Sequence, residues 1–373
     1  MKEFDKKKET LIIAELGTSH NGDIQKAKEM ITAAAESGAG CAKFQIVYAD
    51  EILHPKTGEV LLPGGKIRLY DKFKTLETPP DFYAEIKEYT ESKGLLFLCT
   101  PFGMKSASIL KELRPKMVKI ASPELNYTSL LEEIASWGLP VLLSSGVSKL
   151  GDIENALETL NLQTTLSIPH SRVPSPNICL LHCVTAYPAP ETDYNLCLLP
   201  NLSAIFGVSV GVSDHSADPE LVPALSVTMG ASVVEKHFCL SRSDPGLDDP
   251  IALEPDAFSK MVRAIHNAEK RGPEETIAHY KSERGSEFVE QILGSGKKTL
   301  AASERANYRL TNRSIHALRD IAVGEVLKER DYAVLRTEKI LRPGLDPCWE
   351  KALEGRIARN AISSGEGIRF EDV

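Results

Sequence analysis

Eight short β-rich runs, apolar on both faces, recur along this chain at residues 11–17, 41–47, 95–101, 117–122, 141–146, 178–185, 206–213 and 232–239. A strand that is apolar on both faces must be covered on both, which is the condition of a parallel sheet wrapped by helices. The segments between the runs supply those helices. Residues 23–37 (DIQKAKEMITAAAES) place apolar side chains at three- and four-residue spacing and stop at Gly38. Residues 80–93, 105–114, 129–137, 152–160, 218–229 and 255–270 carry the same period. Eight strands with crossover helices over about 260 residues match an α/β fold of the TIM (β/α)8 barrel type in count and length. An open doubly wound sheet is the alternative.

Beyond the last run the pattern changes. Residues 271–310 are polar, with little apolar periodicity, and read as a connector. From Arg313 onward short β-like pieces (SIHAL, YAVLR, IARNA) are broken by Gly and Pro, as in a small, mostly β domain. The predicted organisation is a catalytic barrel over 1–271, a linker over 272–312 and the small domain over 313–373. A length of 373 residues suits one large domain and one small one.

Charge and cysteine usage narrow the function. The formal net charge is −8 and no Lys/Arg cluster forms a basic face, so a nucleic-acid partner is not expected. An anionic ligand would have to be held by a few placed cations and not by the global field. The seven cysteines are scattered, odd in number and without a CxxC pair, and read as reduced core residues of a cytosolic protein. The first apolar run is broken by Glu15, unlike a signal peptide. No run approaches the roughly 18 apolar residues of a membrane span. A cytoplasmic protein without membrane contact is expected.

In a TIM barrel the active site forms at the C-terminal ends of the strands. Those ends are polar in this chain. They hold Glu15, Thr18 and His20 at the first run, Lys43 and Gln45 at the second, Thr100 at the third, and Lys119, Ser122 and Glu124 at the fourth. Ser144 and Ser145 follow at the fifth, His182, Thr185 and Tyr187 at the sixth, Ser213, Asp214 and His215 at the seventh, and Glu235, Lys236 and His237 at the eighth. A charge inside a strand is costly unless paired or functional. Any one of these residues reads equally well as part of a buried structural pair. Their recurrence at all eight ends favours a site. His215 and His237 end neighbouring strands, where imidazoles with open positions suit a divalent ion that polarises a carbonyl, although a core histidine is the commoner reading of each. Lys43, Lys119 and the nearby hydroxyls suit a small anion. Salt bridges to Glu15 or Glu235 are the other reading of the lysines.

The ordered set IIAELGTSHNGD, AAAESGAGCAKFQ, TPFG, KIASPEL, LLSSGVS, LLHCVTAYPAP, GVSDHS and EKHF resembles the sialic acid synthase family. The C-terminal NRSIHALRDIAVGEVL, LRPGLDP and GRIARNAISSGEGI resemble its antifreeze-like (SAF) domain. The resemblance covers nearly the whole chain. It implies a TIM barrel followed by an SAF domain, a domain-swapped homodimer and a divalent metal ion, manganese first, with magnesium or cobalt as alternatives. It also implies a phosphoenolpyruvate-dependent transferase. Phosphoenolpyruvate would condense with an amino-sugar aldehyde, open-chain N-acetylmannosamine or a relative, to give a nonulosonic acid and phosphate.

By motif match, His215 and His237 fall on the metal ligands. Lys43, Thr100, Lys119, Ser122, Ser144 and Ser213 fall on positions around phosphoenolpyruvate. Glu15, Gln45, Tyr187 and Asp248 fall near the sugar, and Glu124 and Thr185 join the substrate-binding set. Glu15 and Glu235 are the candidates for proton transfer. Arg313 falls on an arginine that reaches the partner subunit's sugar site, an ordinary surface arginine being the plain reading. The departures lie on the sugar side. They are Thr185 where asparagine is common, Asp249 where histidine is common, the extra segment 161–177, and the unusual continuation IVYADEILHPKTGEVLLPGGK after the second run. A legionaminic or pseudaminic acid synthase acting on a diacetamido sugar is therefore the alternative within enzymes. A non-catalytic sugar-binding barrel is the alternative outside them.

Overall fold

The computed structural model of the chain describes residues 9–62, 65–166 and 177–373. The barrel strands are β1 (Leu11–Gly17) and β2 (Cys41–Ile46), then, after a short hairpin of β3 (Glu59–Leu62) and β4 (Gly65–Arg68), β5 (Leu96–Pro101) and β6 (Val118–Ile120). They continue as β7 (Val141–Ser144), β8 (Ile178–Cys183), β9 (Ser209–Asp214) and β10 (Val233–His237). These eight form one sheet in the order β5-β2-β1-β10-β9-β8-β7-β6, and its two outer strands, β5 and β6, come together in space. Every ladder within it is parallel. The architecture is the TIM-type barrel expected, followed by a small β domain.

The covering helices are α1 (Ile24–Glu36), α2 (Leu69–Leu76), α3 (Pro80–Ser92), α4 (Met104–Glu112), α5 (Thr128–Ser136) and α6 (Leu150–Leu166). After β8 come α7 (Leu198–Phe206), α8 (Leu221–Thr228), α9 (Pro255–Arg271), α10 (Pro273–Arg284) and α11 (Ser286–Leu293). Four of these helices and the hairpin were not expected. In α7 (LLPNLSAIF) nearly every position is apolar and Pro200 interrupts the run, so no helical period shows. The segment read as a connector carries α10 and α11. Helix α10 announces itself by charge instead of apolar period: Glu274 and Glu275 in the first turn, Lys281 and Arg284 in the last, opposite to the ends of the helix dipole. The hairpin begins in the unusual stretch after β2 and α2 follows directly after it. Most of the segment 161–177, expected as a lengthened loop, lies outside the described residues.

Period two divides the barrel interior into layers. The lower layers hold Ile13, Cys41, Leu98, Met117, Leu142, Cys179, Leu181 and Val233, a closed apolar plug. Two residues further along the same strands stand Glu15, Lys43, Thr100, Lys119, Ser144, Cys183 and Glu235, all buried. The plug makes the barrel a packed core and lifts every charge to one end.

The C-terminal domain sits over that end. Its strands β11 (Arg313–Ala317) and β12 (Tyr332–Arg336) pair antiparallel, and a single-turn helix α12 (Glu350–Leu353) follows. Ile315, Ala317, Val334, Ile362 and Ile368 are buried in the same apolar cluster as the outer barrel. The Arg336 amide donates to the Ile52 carbonyl at 2.9 Å, and Leu53 bridges to Arg336, so β12 adds to the segment after β2.

Arg313 lies buried at the junction of the two domains. Its Nε donates to Glu124 Oε1 at 3.0 Å, Nη1 to the carbonyls of Glu51 (2.5 Å) and Val334 (3.2 Å), and Nη2 to the Phe102 carbonyl (2.6 Å) and Glu124 (2.9 Å). Five N–H groups have five acceptors, and the side chain is fully buried. Within the single chain the donors of Arg313 are used in docking the C-terminal domain. Arg313→Ala would leave Glu124 and the carbonyls of Glu51, Val334 and Phe102 uncompensated. We expect a loss of about 3–5 kcal/mol at this junction, read as a lower unfolding midpoint in denaturant and faster proteolysis between residues 294 and 312.

Candidate active site

The strand register brings the charged layer together. Glu15 lies opposite Lys43 on one side and His237 on the other, and Glu235 lies opposite Ser213. Lys43 Nζ is 2.9 Å from Glu15 Oε2 and 3.5 Å from Glu235 Oε1, and it stands 3.5 Å from Thr100 Oγ1. Gln45 Nε2 donates to Glu15 Oε1 at 2.6 Å. Ser213 Oγ donates to Glu235 Oε1 at 2.9 Å. Across the barrel, Lys119 Nζ donates to Ser144 Oγ at 2.7 Å and to the Ile120 carbonyl at 3.0 Å.

These charges set one another. Burial alone would raise Glu235, but Lys119 and Lys43, with the Ser213 hydrogen bond, hold its carboxyl at about 2. Burial pulls the Lys43 ammonium down, yet Glu15 and Glu235 outweigh it and keep it above its ordinary value. Lys119 has no carboxylate in contact, and burial lowers it. A buried ammonium with hydroxyl and carbonyl partners only is short of an anion.

Above this layer a cavity of about 520 Å³ opens, within the range of small-molecule sites. Glu15, Lys43, Gln45, Lys119, Ser122, Ser144, Thr185, Tyr187, Ser213, His215, Glu235, His237 and Asp248 line it. Thirteen of the expected site residues thus meet in one place. Thr100 is buried behind Lys43. Glu124 and Arg313 are buried beside the cavity and bind each other. Residues not foreseen also line it: Asn307 and Thr311 before the C-terminal domain, and Arg336, Glu338 and Lys339 at the end of β12. Arg336 gives Nε and Nη2 to Glu124 Oε1 at 3.1 and 2.5 Å, so two arginines share one carboxylate oxygen. The signal for Arg336 was its place at the end of a β run (YAVLR), the same signal used for the barrel.

The two imidazoles face each other, ring centroids 5.4 Å apart, and Tyr187 stacks on His215 at 4.3 Å. His215 Nδ1 lies 2.9 Å from the Val184 carbonyl. A carbonyl only accepts, so Nδ1 carries a proton and Nε2 is the atom left to meet a ligand. Burial lowers His215, but Cys183 and the Val184 carbonyl outweigh it and raise it to about 9, whereas burial, with His215 beside it, pushes His237 down to about 3. Asp248 Oδ2 is 3.9 Å from His237 Nδ1. Two imidazoles with a carboxylate near them fit a divalent cation with open positions, which would take the place of the His215 Nε2 proton. Among the described residues no cluster of three or more His, Cys, Asp or Glu is assembled to hold a metal by itself.

Residues 294–312, the strap between α11 and β11, brace the site from outside. Glu304 Oε2 accepts from the amides of Val147 (2.9 Å) and Thr185 (3.0 Å), and Asn307 Nδ2 donates to the Thr185 carbonyl (3.0 Å). Gly146 leaves the room this needs: a Cβ there would lie 2.1 Å from Thr185 Oγ1.

A parallel barrel that gathers lysines, carboxylates and imidazoles at one end of its strands has the architecture of a barrel enzyme with its site at the strand ends. The chain belongs to the NeuB family, whose model matches residues 30–275, and the SAF domain model matches residues 312–373. It is 34% identical over 368 residues to the N,N'-diacetyllegionaminic acid synthase of Legionella pneumophila, covering 97% of this chain and 94% of that one. The solved structure of the spore coat polysaccharide biosynthesis protein SpsE from Bacillus subtilis superposes with a TM-score of 0.80 at 30% identity, covering 98% of this chain and 96% of that one. The N-acetylneuraminic acid synthetase of Leptospira borgpetersenii superposes with a TM-score of 0.63 at 31% identity, covering 80% and 90%. Members of the family are nonulosonic acid synthases. No helix among the described residues is long and apolar enough to cross a membrane.

The buried neutral histidines carry a pH signature. Burial lowers His20 to about 4 and His182 to about 3, as it lowers His237. The unfolded chain binds these protons near pH 6.5, and the folded chain does so only near pH 3 to 4. Stability should therefore be complete above pH 6.5 and fall as the pH drops below it. The melting temperature should decline between pH 7 and pH 5, and His182→Gln should flatten the decline.

Proposed function

We propose that this protein condenses phosphoenolpyruvate with the open-chain aldehyde of an acetamido sugar to give a nonulosonic acid and inorganic phosphate. The supporting observation is the meeting of Lys43, Lys119, Glu15, Glu235, His215 and His237 at one barrel mouth. Lys119, with no carboxylate in contact, takes the phosphate or carboxylate of phosphoenolpyruvate, together with the hydroxyls of Ser122, Ser144 and Ser213. Lys43 bridges Glu15 and Glu235 and fixes the second edge of the anion site. His215 and His237 hold a divalent metal ion, manganese for preference, which supplies Lewis acidity at the aldehyde oxygen.

Carbon 3 of phosphoenolpyruvate bonds to the aldehyde carbon, whose oxygen gains a proton. Water adds to the cationic carbon 2 and loses a proton. The bond from carbon 2 to the phosphate oxygen then breaks, leaving the keto acid and phosphate. Glu235, held by two lysines and a serine, serves as a fixed anion. Glu15 shares only Lys43 and Gln45, and we assign it the proton transfer. The diacetamido acceptor of a legionaminic-type synthase is the favoured second substrate, on the likeness to the Legionella enzyme.

An exchanged dimer also belongs to the proposal. In the single chain the C-terminal domain docks on its own barrel through Arg313 and Glu124. Exchange between two chains would change which chain supplies these groups, not the composition of the site. Mixing Arg313→Ala chains with His237→Ala chains should then restore activity, and activity that stays at the level of the separate variants argues for docking within one chain.

Product mass tests the reaction itself: pure protein, manganese, phosphoenolpyruvate and a panel of acetamido and diacetamido sugars should yield one nine-carbon acid. Chelation should abolish turnover and manganese restore it, and His237→Ala should not recover. Lys119→Ala should raise the KM for phosphoenolpyruvate with little change in melting temperature, and Glu15→Gln should lower kcat by about 10²–10⁴-fold. Consumption of phosphoenolpyruvate without any sugar would refute the reading.

A further inference from the structure

A second cavity, of about 240 Å³, lies in the outer helical layer and shares no residue with the barrel mouth. It runs between α9 and α10, which a single residue, Gly272, joins at φ +81°. Arg263, Asn267 and Arg271 follow one another at four-residue steps on the α9 side, and the small, buried Ala264 and Ala268 make the floor. From α10 come Thr276 and Tyr280, only 1% and 5% exposed, with His279 and Glu283. Glu220, just before α8, completes the lining. The acids here already have partners. Glu220 Oε2 is 3.5 Å from Arg284 Nη2, and Glu283 Oε2 is 3.6 Å from His279 Nε2. Arg263 and Arg271 have no partner among the described residues, and neither has the Tyr280 hydroxyl. Thr276 Oγ1 is buried without a hydrogen bond. Burial, with Glu220 and Glu283 nearby, pushes the Tyr280 hydroxyl up to about 12, so it stays a phenol and a donor.

We infer that this cleft is a second ligand site, for a small polyhydroxylated anion such as a sugar acid or a sugar phosphate. Exposed arginines alone would be solvated surface. The buried tyrosine and threonine between them change the reading, because a packed tyrosine ordinarily finds a partner for its hydroxyl. Two guanidinium groups without a carboxylate offer planar donor forks that match a carboxylate or a phosphate. A bare anion would leave the other groups unused. The Tyr280 hydroxyl, the Asn267 amide and the Glu283 carboxylate call for neutral groups that both donate and accept, as sugar hydroxyls do. Arg263 and Arg271 are eight residues apart, about 12 Å of helix, so a ligand held at one end by its charge reaches the other with its hydroxyls. The volume lies below the roughly 300–1,000 Å³ of drug-sized pockets, which suits one small sugar and not a polymer. A carboxylate and a phosphate present the same chemistry to an arginine, and the test separates them. The inference does not depend on the condensation proposed above, since binding is read without turnover.

Calorimetric titration of the full chain, with divalent metal removed by chelation, tests it with four probes: N-acetylneuraminate, glucose 6-phosphate, inorganic phosphate and glucose. One of the two hydroxylated anions should bind one to one, about tenfold or more tighter than both phosphate and glucose, and the tighter of the two identifies the anionic group. The double variant Arg263→Gln/Arg271→Gln should weaken that binding by about tenfold or more. Tyr280→Phe should weaken it by about threefold or more. Both variants should keep the melting temperature of the parent, because the arginines are exposed and the hydroxyl has no partner to lose. An excess of phosphoenolpyruvate should leave the binding unchanged, which puts the ligand outside the barrel mouth. Absence of saturable binding by either hydroxylated anion would overturn the site. So would equal affinity for inorganic phosphate, binding that survives the double arginine variant, or competition by phosphoenolpyruvate.

Discussion

One oxygen of Glu124 carries the docking of the second domain. It accepts from Arg313 and Arg336, both supplied by the C-terminal strands, while the carboxylate itself comes from the loop after β6. Two guanidinium groups against one carboxylate in a dry site are costly to bury, and the balance is met only because backbone carbonyls of Glu51, Phe102 and Val334 take the remaining donors of Arg313. The arrangement is therefore specific in position: a domain shifted by a residue would lose several partners together. Through it Arg336, Glu338 and Lys339 come to rest on the cavity.

Below that lid, the polar end of the barrel is organised by unequal sharing. Lys43 stands between two carboxylates, Glu235 answers to two lysines, and Lys119 has hydroxyl and carbonyl partners only. A uniform network would have no preference for a ligand. This one is balanced on the Glu15 side and short of negative charge on the Lys119 side, so an incoming anion has one direction in which it completes the site. The apolar plug beneath matters as much, because it denies water a path through the barrel and keeps these interactions in a low-dielectric setting.

Much of this was legible in the sequence for a simple reason. Strand periodicity is two, so a run such as ELG or AKFQ states which side chain points inward and which end it stands on. Glu15, Lys43, Glu235 and His237 were singled out by their place at the C-terminal ends of the runs, and their roles by the family resemblance. What it could not show were partnerships fixed by the tertiary fold. Nothing local shows that Arg313 and Glu124, both read as substrate-binding residues, bind each other in the single chain, 189 positions apart. Helices α10 and α11 were hidden because one is held by charge at its ends and neither has a long apolar stripe. Glu304 read as part of a polar connector, since nothing local reveals that its partners are the strand-end amides of Val147 and Thr185.

The link between Arg313 and the Glu51 carbonyl spans 262 positions, and the pairing of Arg336 with Ile52 is more distant still. The segment that walls the cavity is thus made early in synthesis and stabilised last. Until β11 and β12 leave the ribosome, the stretch after β2 has an unpaired edge and an apolar cluster with one side open. Such high sequence separation slows closure and lengthens the time that this surface is available to other chains. A cell making this protein faces its greatest risk of misassembly not at the barrel, whose neighbours follow one another in sequence, but at an early patch that waits for the end of the chain.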